Sequence, residues 1–215
     1  MRAIFSSLLA FLRQLFNTGK ASAPQEQEQE KVIAPPIFTE TKESIKPIIE
    51  HTTASVQKVL IVNNQPYTFA APTTRDVSRV FIHCTASSNP KYDLASVKRD
   101  HTNLGYKRDD GVLDVAYHFF ITFAGELQLG RKLWSNPDAQ KGHNTGTIAI
   151  CLQGLVVKDF TSAQMETLTA LCQQINEAYG GSVTFHGHNE VSNRGCPVFD
   201  YRAALKLDSK GNLGV

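Results

Sequence analysis

The chain has 215 residues, 41% of them hydrophobic, enough for one domain of ordinary size plus appendages. Its 22 Lys and Arg against 20 Asp and Glu leave a net charge of +2 with no basic cluster, which gives no footprint for direct nucleic-acid binding. The 4 cysteines, Cys84, Cys151, Cys172 and Cys196, lack close paired spacing, which excludes a small disulfide scaffold and suits reduced thiols.

Residues 1–20 combine apolar and basic residues without an acid. Phe5, Leu8, Leu9, Leu12, Leu15 and Phe16 recur at helical spacing, with Arg2, Ser6, Arg13 and Asn17 opposite, so an amphipathic N-terminal helix is expected. Arg13 and Gln14 cut the apolar run short of the ~20 residues that a bilayer span needs. They also interrupt the apolar region of a secretory signal, although Ala21-Ser22-Ala23 is shaped like a cleavage site. The expected role is docking on a membrane surface or on a partner such as a virion protein. Residues 21–56 read as a linker: Gln25 to Glu30 is a polar repeat with nothing to bury, and Pro35-Pro36 is extended. Residues 57–76 read as a hairpin-like extension, with two β-rich runs flanking Asn63-Asn64.

From residue 77 to 215 strand and helix signals mix, predicting an α/β domain with a central mixed sheet flanked by helices. The expected strands lie at 79–86, 114–122, 126–131, 147–154 and 183–188, with helices at 94–106, 161–181 and near 200–206. The helix at 161–181 is the clearest. Thr161 and Gln164 form a capping box, and Gly180-Gly181 ends it.

A catalytic zinc site needs three imidazole, thiolate or carboxylate ligands and one open position. His83 lies in an apolar strand, His188 closes the last strand, and Cys196 comes next in the loop Asn193-Arg194-Gly195-Cys196-Pro197. The three converge only if the first and last strands of the domain are neighbours. A hydrogen-bonded core histidine and a buried cysteine are the competing reading. Cys84 is adjacent to His83 and is expected on the opposite face. His186 is expected to share the face of His188, which makes it a candidate substitute ligand. His118 is expected to face away from Tyr117, and Cys151 and Cys172 read as core. His188-Asn189-Glu190 with Cys196-Pro197 resembles part of the zinc deaminase signature, but the second thiolate is missing because position 199 is Phe.

Five segments occur in a telling order: VFIHCTAS (80–87), LDVAYHFFIT (113–122), GHNTGTIAICLQG (142–154), FTSAQMETLTALC (160–172) and HNEVSNRGCPVFD (188–200). Together they resemble the zinc amidases of the phage lysozyme and peptidoglycan-recognition-protein type, the type 2 N-acetylmuramoyl-L-alanine amidases, over roughly residues 77–206. The resemblance implies a zinc ion (Zn2+) on His83, His188 and Cys196, with Tyr117 catalytic. It also places a second catalytic position at Arg194, where phage enzymes carry lysine. Arg supplies positive charge but keeps its proton at neutral pH, so Arg194 is expected to stabilise charge and not to shuttle protons. A second departure is Ala139, where similar phage enzymes carry histidine. Glu190 is a candidate outer-shell partner for His188.

The implied reaction is cleavage of the amide between N-acetylmuramic acid and L-alanine of peptidoglycan by zinc-activated water. The implied setting is a phage endolysin or virion-associated lysin, made in the bacterial cytoplasm and acting on the cell wall. Two alternatives share the fold: a non-catalytic peptidoglycan-binding protein, and a regulator of the phage RNA polymerase. Non-catalytic members typically lack the cysteine ligand, so Cys196 favours the enzyme.

Overall fold

The computed structural model describes residues 57–214; the expected N-terminal helix at 1–20 and the linker at 21–56 lie outside them. The described chain opens on a hairpin, β1 (Leu60–Val62) and β2 (Gln65–Tyr67). Asn63 and Asn64 turn it with φ of 50° and 61°, the left-handed region that asparagine tolerates and that a tight hairpin turn requires.

The main sheet contains β3 (Arg79–Cys84), β4 (Phe119–Ile121), β5 (Leu127–Leu129), β6 (Thr147–Leu152) and β7 (Thr184–Gly187). Their order across the sheet is β5-β4-β6-β3-β7. β3 runs parallel to both β6 and β7, and β4 runs parallel to β6 and antiparallel to β5, so the sheet is mixed as expected. β3 and β6 are buried on both faces and read as nearly continuous apolar runs.

Helix α2 (Ser162–Ala178) covers one face, and α1 (Leu94–Asn103) lies in the layer on the other. Alternation along β3 decides which residues meet each layer. Val80 and Ile82 join Ile148, Ile150 and the α2 residues Leu168, Leu171 and Ile175 in the main core. On the opposite face, Phe120 and Cys151 pack with Val97 of α1 and Val115, beside the partly buried Tyr117. His83 lies opposite Cys151 in the parallel register, so the same alternation turns it towards this second layer. The hairpin is part of the main core: Leu60 and Val62 are buried there with Phe69.

The capping box on α2 is present, with Thr161 Oγ1 accepting from the Gln164 N–H (3.1 Å) and the Gln164 side chain accepting from the Thr161 N–H (3.0 Å). Beyond β7 come a single 3-10 turn, His188–Glu190, and a short helix α3 (Tyr201–Leu205). The expected strand at 114–122 is shorter, beginning only at Phe119. Its first residues are held by other groups: Arg131 Nε donates to the Val115 carbonyl (2.7 Å), and the Ala116 N–H donates to His101 Nδ1 (3.0 Å). Among the described residues, no helix is long and apolar enough to cross a membrane.

Candidate metal centre

β3 and β7 are hydrogen-bonded neighbours, with Ile82 opposite Gly187. The next residue on each side is a histidine. His83 lies near the end of one strand and His188 leaves the other, and their rings sit 4.6 Å apart between centroids. Cys196 returns to them through a loop closed by the Asn189 N–H donating to the Cys196 carbonyl (2.6 Å). Its sulfur accepts from the Cys84 backbone N–H (3.2 Å) and lies 4.0 Å from His83 Nδ1. The ligand-capable atoms of His83, His188 and Cys196 all fall within 4.8 Å of one another. The three residues singled out in the sequence therefore converge, because their two strands are neighbours.

Burial differs across the trio. His83 is 1% exposed, and burial first, with His188 adding to it, pulls its pKa down to about 3. His188 is shifted in the same direction by burial and then by the Arg194 charge. Both imidazoles are therefore neutral at pH 7, the form in which a ring nitrogen has a lone pair to give. His188 also lines a cleft of about 490 Å³ with Tyr106, Asp138, Ala139, Lys141 and Arg194. One side of the trio is thus closed by the sheet and the other opens to a groove.

Two imidazoles and a thiol in this arrangement fit the donor set of a catalytic zinc ion, with the groove side available for a water or substrate. Cys84 lies beside this trio without belonging to it. It is buried, yet its sulfur lies 3.8 Å from that of Cys196, because the Cys196 loop passes over the end of β3. The hydrogen bond between the thiols lowers the pKa of Cys84 and raises that of Cys196. A coordinated cation favours the thiolate on the sulfur it touches, which in the trio is Cys196.

Tyr117 packs against His83 with ring centroids 5.1 Å apart and planes tilted by 48°. Burial first and the Cys151 and Cys196 sulfurs second raise its pKa well above the ordinary tyrosine value, so the hydroxyl keeps its proton. Its ring is backed by His101, 5.4 Å away, which packs in turn against Tyr106 at 4.7 Å with tilted planes. Arg194 is exposed at the cleft rim. His118 is a structural residue: Nδ1 accepts from the Ala149 N–H (3.0 Å) and Nε2 meets the Ser135 carbonyl (2.9 Å).

Two secondary expectations require correction. His186 is no substitute ligand, since its nitrogens engage Glu190 (2.7 Å) and Thr184 (2.8 Å). The 3-10 turn after Gly187 breaks strand alternation, so His188 and His186 serve different environments. Glu190 accordingly partners His186 and Tyr201, not His188. Sequence reasoning missed Gln140, His101 and Tyr106. Gln140 sits in a polar loop with no periodic signal, whereas His101 and Tyr106 flank the end of α1 and were open to suspicion as polar aromatics near a loop.

A family model described as N-acetylmuramoyl-L-alanine amidase matches residues 73–198. The endolysin of Escherichia phage T7 is 31% identical over 130 residues, covering 57% of this chain and 82% of that protein. The endolysin of Klebsiella phage KP32 is 29% identical over 135 residues, covering 60% and 85%. Among solved structures, the N-acetylmuramoyl-L-alanine amidase LysC from Clostridium intestinale URNW superimposes with a TM-score of 0.55 at 20% identity, covering 68% of this chain and 95% of that one, a likeness of fold. With the match spanning more than half its length and the sheet, trio and groove in place, this chain belongs to the N-acetylmuramoyl-L-alanine amidase family.

Proposed function

We propose that this chain is a zinc-dependent peptidoglycan amidase of the phage endolysin kind, hydrolysing the bond between N-acetylmuramic acid and L-alanine. The observation that carries this reading is the convergence of His83, His188 and Cys196 donor atoms within 4.8 Å beside an open cleft. His83 and His188 would hold the metal through neutral nitrogens, and Cys196 would hold it through its sulfur. When bound, zinc supplies Lewis acidity, polarising a carbonyl and bringing the pKa of water towards neutrality.

The protein groups do the rest. The groove that contains Lys141 and Arg194 receives the glycan and peptide stem. Tyr117 keeps a proton on its hydroxyl, so it donates a hydrogen bond to the attacking water or to the oxygen that gains charge. Arg194 brings permanent positive charge to that oxygen, where a preorganised donor acts most strongly in the transition state. It cannot exchange a proton at neutral pH, so its role is electrostatic.

The test uses purified peptidoglycan. The protein should release new L-alanine amino termini, and His83→Ala and Cys196→Ala proteins should lose both zinc and this activity. Full activity in either variant would sink the metal assignment.

A further inference from the structure

We infer that Gln140 is a positioning residue that fixes the His83 ring as the Nε2–H tautomer, leaving the bare Nδ1 to face the metal centre. This role rests on the metal-centre reading and extends it one step outward, from the ligand to the group that orients it.

A chain of hydrogen bonds, with its direction forced at one end, sets the tautomer. Thr147 Oγ1 lies 2.7 Å from the Asn144 carbonyl, which can only accept, so the hydroxyl proton points there. The same hydroxyl lies 2.7 Å from the Gln140 side-chain amide. With its proton committed, it can only accept, so the amide nitrogen of Gln140 faces it. The second amide hydrogen points to the His143 carbonyl (3.4 Å). A flipped amide would set carbonyl oxygen against carbonyl oxygen and leave Thr147 without its donor. Gln140 Oε1 is therefore the atom 3.1 Å from His83 Nε2. That oxygen accepts only, so Nε2 carries the proton and Nδ1 keeps its lone pair. Nδ1 is the atom that lies 4.0 Å from the Cys196 sulfur.

The relay is built and sheltered. Gln140 is 1% exposed and Thr147 is fully buried. The Gln140 backbone is pinned as well, its N–H donating to Asn144 Oδ1 (2.9 Å). Asn144 thus holds both ends of the relay, through its side chain at Gln140 and its carbonyl at Thr147. A carbonyl on the outer nitrogen of a ligating histidine orients the ring and sets its tautomer, and loss of such a partner typically weakens metal binding 10–100-fold.

The experiment has two readouts on the full chain. The first is the histidine 15N spectrum of the metal-free protein, with the His83 signals identified by their loss in His83→Ala. Wild type should show a single Nε2–H tautomer. Gln140→Leu, of similar volume, should show averaged shifts of a mixed ring. Gln140→Glu, which restores an acceptor, should return the Nε2–H pattern. The second readout is zinc affinity by chelator competition, which should weaken about 10–100-fold in Gln140→Leu. An Nδ1–H signature in wild type, or unchanged shifts and zinc affinity in Gln140→Leu, would overturn the assignment. Should Gln140→Leu fail to fold, the same two readouts on Gln140→Met, which also removes the carbonyl acceptor at similar length, decide: unchanged shifts and zinc affinity there would overturn the assignment. Absence of zinc binding by wild type would count against the metal reading alone, since the metal-free spectra judge Gln140 separately.

Discussion

At the scale of single residues, the side chains around the candidate metal centre differ in how tightly the fold encloses them. His83 is enclosed by Gln140 on one nitrogen and by the Cys196 sulfur near the other, so its ring has little freedom. Arg194, at the open rim, has a charge that reaches His188 but sits on an exposed loop. Tyr117 lies between these extremes, with its ring packed on His83 and His101 and its hydroxyl kept protonated by burial. Tyr117→Phe should therefore leave zinc content and melting temperature nearly unchanged while lowering kcat roughly 10²–10³-fold, the usual cost of one transition-state donor. Steady-state kinetics on soluble peptidoglycan fragments checks this; an unchanged kcat would remove the hydroxyl from the mechanism. Residue chemistry and motif order already grouped His83, His188 and Cys196 in the sequence, and the structure brings the three together. Gln140 was not, because a glutamine in a polar loop has no signature until the fold puts it against a histidine.

At the scale of elements, the site depends on the turn and loop between β7 and α3. Gly187 leaves the strand where a side chain would collide: a Cβ there would lie 2.5 Å from Tyr201 of α3. Glu190 ties the same turn to both neighbours, accepting from Tyr201 and pairing with His186. Partial burial raises its pKa, but hydrogen bonds from Tyr201 and His186 outweigh this and hold it below the ordinary 4.5. A carboxyl held low in the folded state contributes stability that is present above the unfolded value and lost as pH falls through the folded one. The melting temperature should thus drop as pH falls below about 4.5, and Glu190→Gln should flatten that drop while lowering stability at neutral pH. Identical pH profiles for the two proteins would contradict this role. Periodicity in the sequence predicted α2, its capping box and the buried strands well. It overran the strand before Phe119, because the backbone of Val115 and Ala116 is claimed by Arg131 and His101, partners distant in sequence. It also assigned Glu190 to the wrong histidine, since the 3-10 turn after β7 cannot be read from alternation.

At the scale of the molecule, the sequence order of the strands hides their neighbourhood. β3 and β7 are separated by about half the chain, and only the sheet order brings His83 and His188 together. The hairpin is a second case of long-range dependence. It precedes the region matched by the family, at residues 73–198, yet Leu60, Val62 and Phe69 lie in the main core. Burial of side chains this size contributes about 1.5–3 kcal/mol each, together a large part of a typical domain's stability. A chain starting at residue 57 should fold and bind zinc, whereas one starting at residue 73 should be strongly destabilised or insoluble. Equal denaturation midpoints for the two would show that the hairpin is an appendage. A zinc-dependent amidase must also cleave its substrate as a whole protein, a property that no single variant tests. The most direct measurement is the release of L-alanine amino termini from purified peptidoglycan by the full chain, before and after chelation. Cleavage by the zinc-loaded protein, its loss on chelation and its return with added zinc are the expected results. Undiminished cleavage by verified zinc-free protein would contradict zinc dependence.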